Sequence, residues 1–125
     1  MEFLRMLLQV VVALTILNVW LIRANRATPY RGGNATTLAE EFSVYGLSRP
    51  VMLGVGALKV SLSLLLLIGV WYRPVVPAAA ALMGAIMAVA VLLHFKVGDP
   101  LVRSMPASCM LILCVAVFML AQATQ

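Results

Sequence analysis

Between two long apolar runs, the stretch HFKVGDPLVRSMPA at residues 94–107 gathers His94, Lys96, Asp99 and Arg103. A histidine there can titrate, hydrogen-bond or bind a metal. The chain has one His, and Cys109 and Cys114 do not complete a ligand set with it by spacing, so no metal site is expected. The spacing favours a helix-end His94 meeting a backbone carbonyl or Asp99. Asp99-Pro100 breaks the chain, and the Asp99 carboxylate suits backbone N–H groups of the turn. Lys96 and Arg103 fall where basic interface anchors belong.

Lys59 needs a stronger reason. It lies nine residues into the apolar run 51–71. A charge at mid-span costs about 2.5–3.5 kcal/mol on insertion scales, so it must face the bundle interior or a wet cavity. Gly56 and Ser63 share its helical face and would give the ammonium a small, hydroxyl-lined pocket. One reading is a counter-ion or headgroup site for an anionic or quinone-like ligand, or a proton path. The other is a structural Lys paired to a carboxylate or neutralised by burial. If the 94–107 stretch works with anything, it is with Lys59 and Glu40 or Glu41 across the bundle. Being adjacent on a helix, Glu40 and Glu41 diverge, so they form no carboxylate dyad. The candidate binding residues are therefore Lys59, His94, Glu40, Glu41 and Asp99, with the cofactor left open. No catalytic residue is assigned, for the chain lacks GxGxxG, GxxxxGK[ST], HExxH and GxSxG.

The elements that must position these groups are apolar to an unusual degree. Of 125 residues, 64% are hydrophobic and 10% charged, with a mean hydropathy of +1.08. Soluble domains are about half apolar and a quarter charged, so the solvent of this chain is a bilayer. Runs at 6–22, 51–71, 75–95 and 105–121 can each cross roughly 30 Å of hydrocarbon at 1.5 Å per residue. The expected fold is all-α, an integral membrane antiparallel four-helix bundle making one domain of residues 1–125. The first run is long for a signal peptide and no A-x-A site follows it, so it reads as a retained span. Pro50 suits the first turn of the second span, Arg73 and Pro74 turn the chain before the third, and Pro106 opens the fourth.

In the first loop, TPYRGG is turn-like. Thr36 or Thr37 then caps a short helix with Leu38, Phe42 and Tyr45 on one stripe, stopped by Gly46. That helix is expected at the membrane surface or folded into the bundle mouth. Asn34-Ala35-Thr36 fits a glycosylation sequon, a match common by chance.

Ala80, Gly84 and Ala88 form a small-residue ridge, which Ala81 and Ala85 widen; Gly54 and Gly56 serve likewise in the second span. Gln9 and Asn18 are candidates for interhelical hydrogen bonds. Cys109 and Cys114 point to different helix faces and pack as small hydrophobes rather than as a disulfide. The net charge of +5 sits at span ends, which favours lipid headgroups as its partner over nucleic acid. Arg5 and Arg73 lie on the side of the termini; Arg23, Arg26, Arg31, Arg49, Lys96 and Arg103 lie on the other. The positive-inside rule then puts the first and third loops in the cytoplasm.

The motifs NVWLIR at 18–23, TPYRGGNA at 28–35, LAEEFSVYGL at 38–47 and VGALKV at 55–60 run along the chain. They continue with LMGAIM at 82–87, HFKVGDPL at 94–101 and then SMPA. Together they resemble the DoxX family of small four-span membrane proteins, with H-x-K-V-x-D-P-L the most specific element. The resemblance implies a four-helix integral membrane protein. Some members are linked to thiosulfate oxidation with quinone as acceptor; others resemble accessory subunits of membrane oxidoreductases or assembly chaperones. It carries no catalytic residue onto this chain. Related groups often have Glu near the position of Lys59, a departure that puts a shared ion-pair chemistry in doubt. It also implies cytoplasmic termini, against the charge count.

The leading expectation is a non-catalytic accessory or assembly subunit of a bacterial inner-membrane complex. Its partners would be the lipid bilayer and other membrane-protein subunits, or copies of itself. The rival is a redox-linked protein holding a quinone or lipid headgroup between Lys59, His94 and the first-loop helix. A third possibility is a small proton or solute pathway centred on Lys59.

Overall fold

The computed structural model describes residues 2–22, 32, 33, 35 and 37–123. Helix α1 (Glu2–Leu17) runs on into a π-helical turn at Asn18–Ile22; α2 (Leu38–Val44) is short; α3 spans Arg49–Ile68. A single 3-10 turn (Arg73–Val75) leads into α4 (Val76–Lys96), and α5 spans Leu101–Ala123. The described chain is all helix and turn. Four of its segments, Glu2–Ile22, Arg49–Ile68, Arg73–Lys96 and Leu101–Ala123, are long and apolar enough to cross a membrane. The expected four-helix bundle with a short helix in its first loop is what forms. Arg23, Arg26, Arg31, residues 28–31 of the turn, and Asn34 and Thr36 of the sequon lie outside the described residues.

Local signals set most of the helix ends. Thr37 caps α2 by accepting the Glu40 N–H at 3.1 Å, and Gly46 ends it with a φ of 78°. Ser48 caps α3, accepting the Val51 N–H at 3.4 Å, with Pro50 in the first turn as expected. The fourth span departs from expectation. It begins at Leu101, and Pro106 lies inside it. Pro100 supplies the start instead, its carbonyl accepting the Arg103 N–H at 3.0 Å. Pro106 leaves one rung of the ladder unmade well within the helix.

The buried core gathers Val12, Ala13 and Ile16 of α1, Leu62 and Leu66 of α3, Met83 and Met87 of α4, and Val117 of α5. Helix α4 packs most extensively on α5. A Cβ added at Gly84 would lie 3.5 Å from the Cys114 Cβ, so the glycine lets these two backbones close up. Ala80 is buried with it, but Ala81 and Ala85 face outward and do not widen the ridge. Gly54 likewise has nothing within 4 Å.

Arg5 is not an interface anchor ahead of the first span. It lies within α1, is 1% exposed, and donates to Gln9 Oε1 and, at 3.0 Å, to Glu2 Oε2. Gln9 in turn donates from Nε2 to the Leu66 carbonyl at 2.8 Å. That carbonyl is in the last turn of α3, where no intrahelical partner remains, so the glutamine joins α1 to α3 where expected.

Candidate functional site

The π turn at the end of α1 aims Trp20 at α3. Single π turns inside long helices are often found at functional sites. A Cβ on Gly56 would come within 2.5 Å of the Trp20 ring, so glycine at 56 makes the seat for the indole. The same ring lies beneath Lys59, whose Nζ is 5.2 Å from its centroid, within cation–π range. Phe42 meets Trp20 edge-on at 5.8 Å, Tyr45 follows at 6.5 Å, and His94 lies 5.8 Å beyond Tyr45. Aromatic rings thus lead from the mid-span lysine to the end of α4.

These rings line one side of a cavity of about 610 Å³ to which all four spans and α2 contribute. Its walls are mostly apolar; its polar groups include Asn18, Glu41, Tyr45, Lys59, His94 and Arg103. Lys59 does not sit in a small, hydroxyl-lined pocket. Trp20 fills the space beside Gly56, and Ser63 is buried away from the cavity lining with its hydroxyl unpartnered. The ring against Lys59 comes from the π turn that follows α1, and those beyond it from α2 and its C-terminal end, which spacing along α3 alone cannot show.

At the loop end the polar groups interlock. The Tyr45 hydroxyl donates to Glu41 Oε1 at 2.8 Å and lies 3.3 Å from His94 Nε2. His94 Nδ1 is 2.8 Å from Asp99 Oδ2, the helix-end contact expected for it. Beside an ionised carboxylate that nitrogen carries the hydrogen, which leaves Nε2 toward Tyr45. Asp99 Oδ1 accepts the Gly33 N–H and Arg103 Nη1, each at 3.0 Å. Asp99 therefore holds the first loop rather than the amides of its own turn. Burial pushes its carboxyl up, but the Gly33, His94 and Arg103 hydrogen bonds and the nearby imidazole outweigh it and hold the pKa below the ordinary 3.8. Lys96 donates to the Tyr45 carbonyl at 3.3 Å, so Lys96 and Arg103 both tie inward.

Over residues 7–119 the sequence matches the DoxX-like family. The chain belongs to the DoxX-like family. With four apolar helices of spanning length, it is a small multi-pass membrane protein. No curated protein and no solved structure matches it. In this DoxX-like protein Lys59, Glu41 and His94 line one cavity, Asp99 stands behind His94, and Glu40 is exposed on the outer side of α2. Spacing alone passed over Trp20, and it counted Tyr45 only as part of an apolar stripe. The signal available for both was an aromatic with a polar edge near a mid-span charge. Among the described residues no group of three His, Cys, Asp or Glu could hold a metal ion.

Proposed function

We propose that this DoxX-like protein binds a lipid-soluble small molecule inside its bundle, with a quinone ring or a lipid headgroup as the bound part. The observation that carries the reading is the cavity itself. It has about 610 Å³ of space, apolar walls, and a few convergent polar groups at Lys59, Glu41, Tyr45 and His94. That is the composition of small-molecule sites in general. The short helix α2 lines the cavity through Leu38, Glu41 and Phe42, and the Tyr45–His94 and Gly33–Asp99 contacts tie it and the first loop to the end of α4. Lys59 and Asn18 offer donors to the head, while the walls from α3, α4 and α5 take the apolar body. We place the protein in a bacterial inner membrane.

Purification in mild detergent followed by mass spectrometry of the organic extract tests this. A lipophilic compound should be retained by the wild type and lost from Ala90→Trp, which fills the cavity from α4. Equal retention by the two proteins would sink the reading.

Service as a non-catalytic accessory subunit is supported by a separate observation. Gly54, Ala81 and Ala85 lie exposed on the outer faces of α3 and α4, where small residues allow a partner helix to approach. A cysteine at Ala85 should then crosslink to another membrane protein or to a second copy. Labelling by lipid alone would count against it.

A further inference from the structure

We infer that the molecule held beside Lys59 is an acid, a single-chain amphiphile ending in a carboxylate. The inference rests on the cavity-binding reading above and names its ligand class. It begins from an imbalance among the cations. Arg103 has Asp99, Lys96 has the Tyr45 carbonyl, and Arg5 has Gln9 and Glu2. Lys59, with three N–H donors, has no hydrogen-bond acceptor among the described residues. The Trp20 face covers one side of its ammonium at 5.2 Å, and the rest of the group looks into the cavity.

Glu41 reaches Lys59 by its field alone, while its Oε1 is hydrogen-bonded by the Tyr45 hydroxyl at 2.8 Å. Among the described residues this mid-span cation is therefore compensated only at a distance. A neutral carbonyl, such as that of a quinone, would accept one hydrogen bond and leave the charge as it is. A carboxylate would accept two donors and neutralise the ammonium, and charge-assisted hydrogen bonds are roughly twice as strong as neutral ones. The apolar walls strengthen that preference, because charges attract more strongly where water is scarce. Asn18, on the π turn beside Trp20, is the second donor available to the head. Val19, Val51, Val55, Ile86, Ala90 and Met110 line the space a hydrocarbon chain would take. Glu41 opposes a second carboxylate, so neutralising it should tighten binding.

The test uses the full chain in nanodiscs with tritiated palmitate as probe, and methyl palmitate and decylubiquinone as competitors. Palmitate should bind at least tenfold more tightly than its methyl ester. Lys59→Arg should keep that preference, Lys59→Met should abolish it, and Glu41→Gln should tighten palmitate several-fold. A thermal unfolding scan of each variant separates lost binding from lost folding. Equal affinity for acid and ester, or an acid preference that survives in folded Lys59→Met, overturns the inference. Decylubiquinone binding that is blocked by Ala90→Trp, without acid preference, overturns it too but leaves the cavity reading standing. If neither probe binds in an Ala90→Trp-sensitive way, both fall.

Discussion

Removing the Asp99 carboxylate should cost the fold more than removing any other loop side chain. In Asp99→Ala three partners lose their acceptor at once. The His94 imidazole is 6% exposed, so its Nδ1–H is left dry, at about 1–3 kcal/mol. Gly33 is only partly buried, and its freed N–H falls at the low end of the same range, about 1 kcal/mol. Arg103, 29% exposed, can rehydrate and contributes at most about 1 kcal/mol. The sum is about 3 kcal/mol, with Asp99→Asn losing roughly half because one oxygen still accepts. Unfolding by titration with SDS in mixed micelles measures both. The pH dependence has a definite sign. The folded carboxyl is held below its ordinary 3.8, so its contribution is complete above that value and is lost as pH falls through the lower, folded one. The gap between wild type and Asp99→Asn present at pH 7 should therefore close below about pH 3.8. If Asp99→Ala unfolds within about 0.5 kcal/mol of wild type, the carboxylate does not staple the first loop to α4 and α5, and the reasoning fails.

Three further outcomes follow from the packing. Gly56→Ala places a methyl 2.5 Å from the Trp20 ring and should displace it from Lys59, costing about 1–3 kcal/mol. In a Trp71→Phe background this reads as a changed Trp20 emission, and an unchanged spectrum would contradict the close seat. Gln9→Leu removes the link to the Leu66 carbonyl and a partner of Arg5; a cost of about 0.6–2 kcal/mol in SDS unfolding is expected, and none at all would count against the link. Gly84→Leu should push α4 from α5 and destabilise by at least about 1–3 kcal/mol, whereas exposed Ala85→Leu should stay within about 0.5 kcal/mol. Similar effects at both positions would mean that the ridge has been assigned to the wrong face.

The spans were legible because each apolar residue adds to the transfer free energy without regard to its neighbours, so a run declares itself before any contact is known. The burden of Lys59 was legible for the same reason: depth alone makes a charge costly. What faces Lys59 was not. Helical spacing says which residues of α3 share a side, and it correctly put Gly56 beside the lysine. It says nothing of the partner across the gap, and that partner, Trp20, arrives on the π turn that follows α1. The same limit explains Arg5. At the edge of an apolar run an arginine reads as an anchor, and only Gln9, one turn on and bonded to α3, reveals that it belongs inside. Asp99 shows it over the longest reach, for the amide it takes from Gly33 is 66 residues away in the chain. Gly56 therefore bears on the site through what it lacks. Its missing methyl admits the indole, the indole takes one side of the ammonium, and the remaining N–H groups of Lys59 are left looking into the cavity.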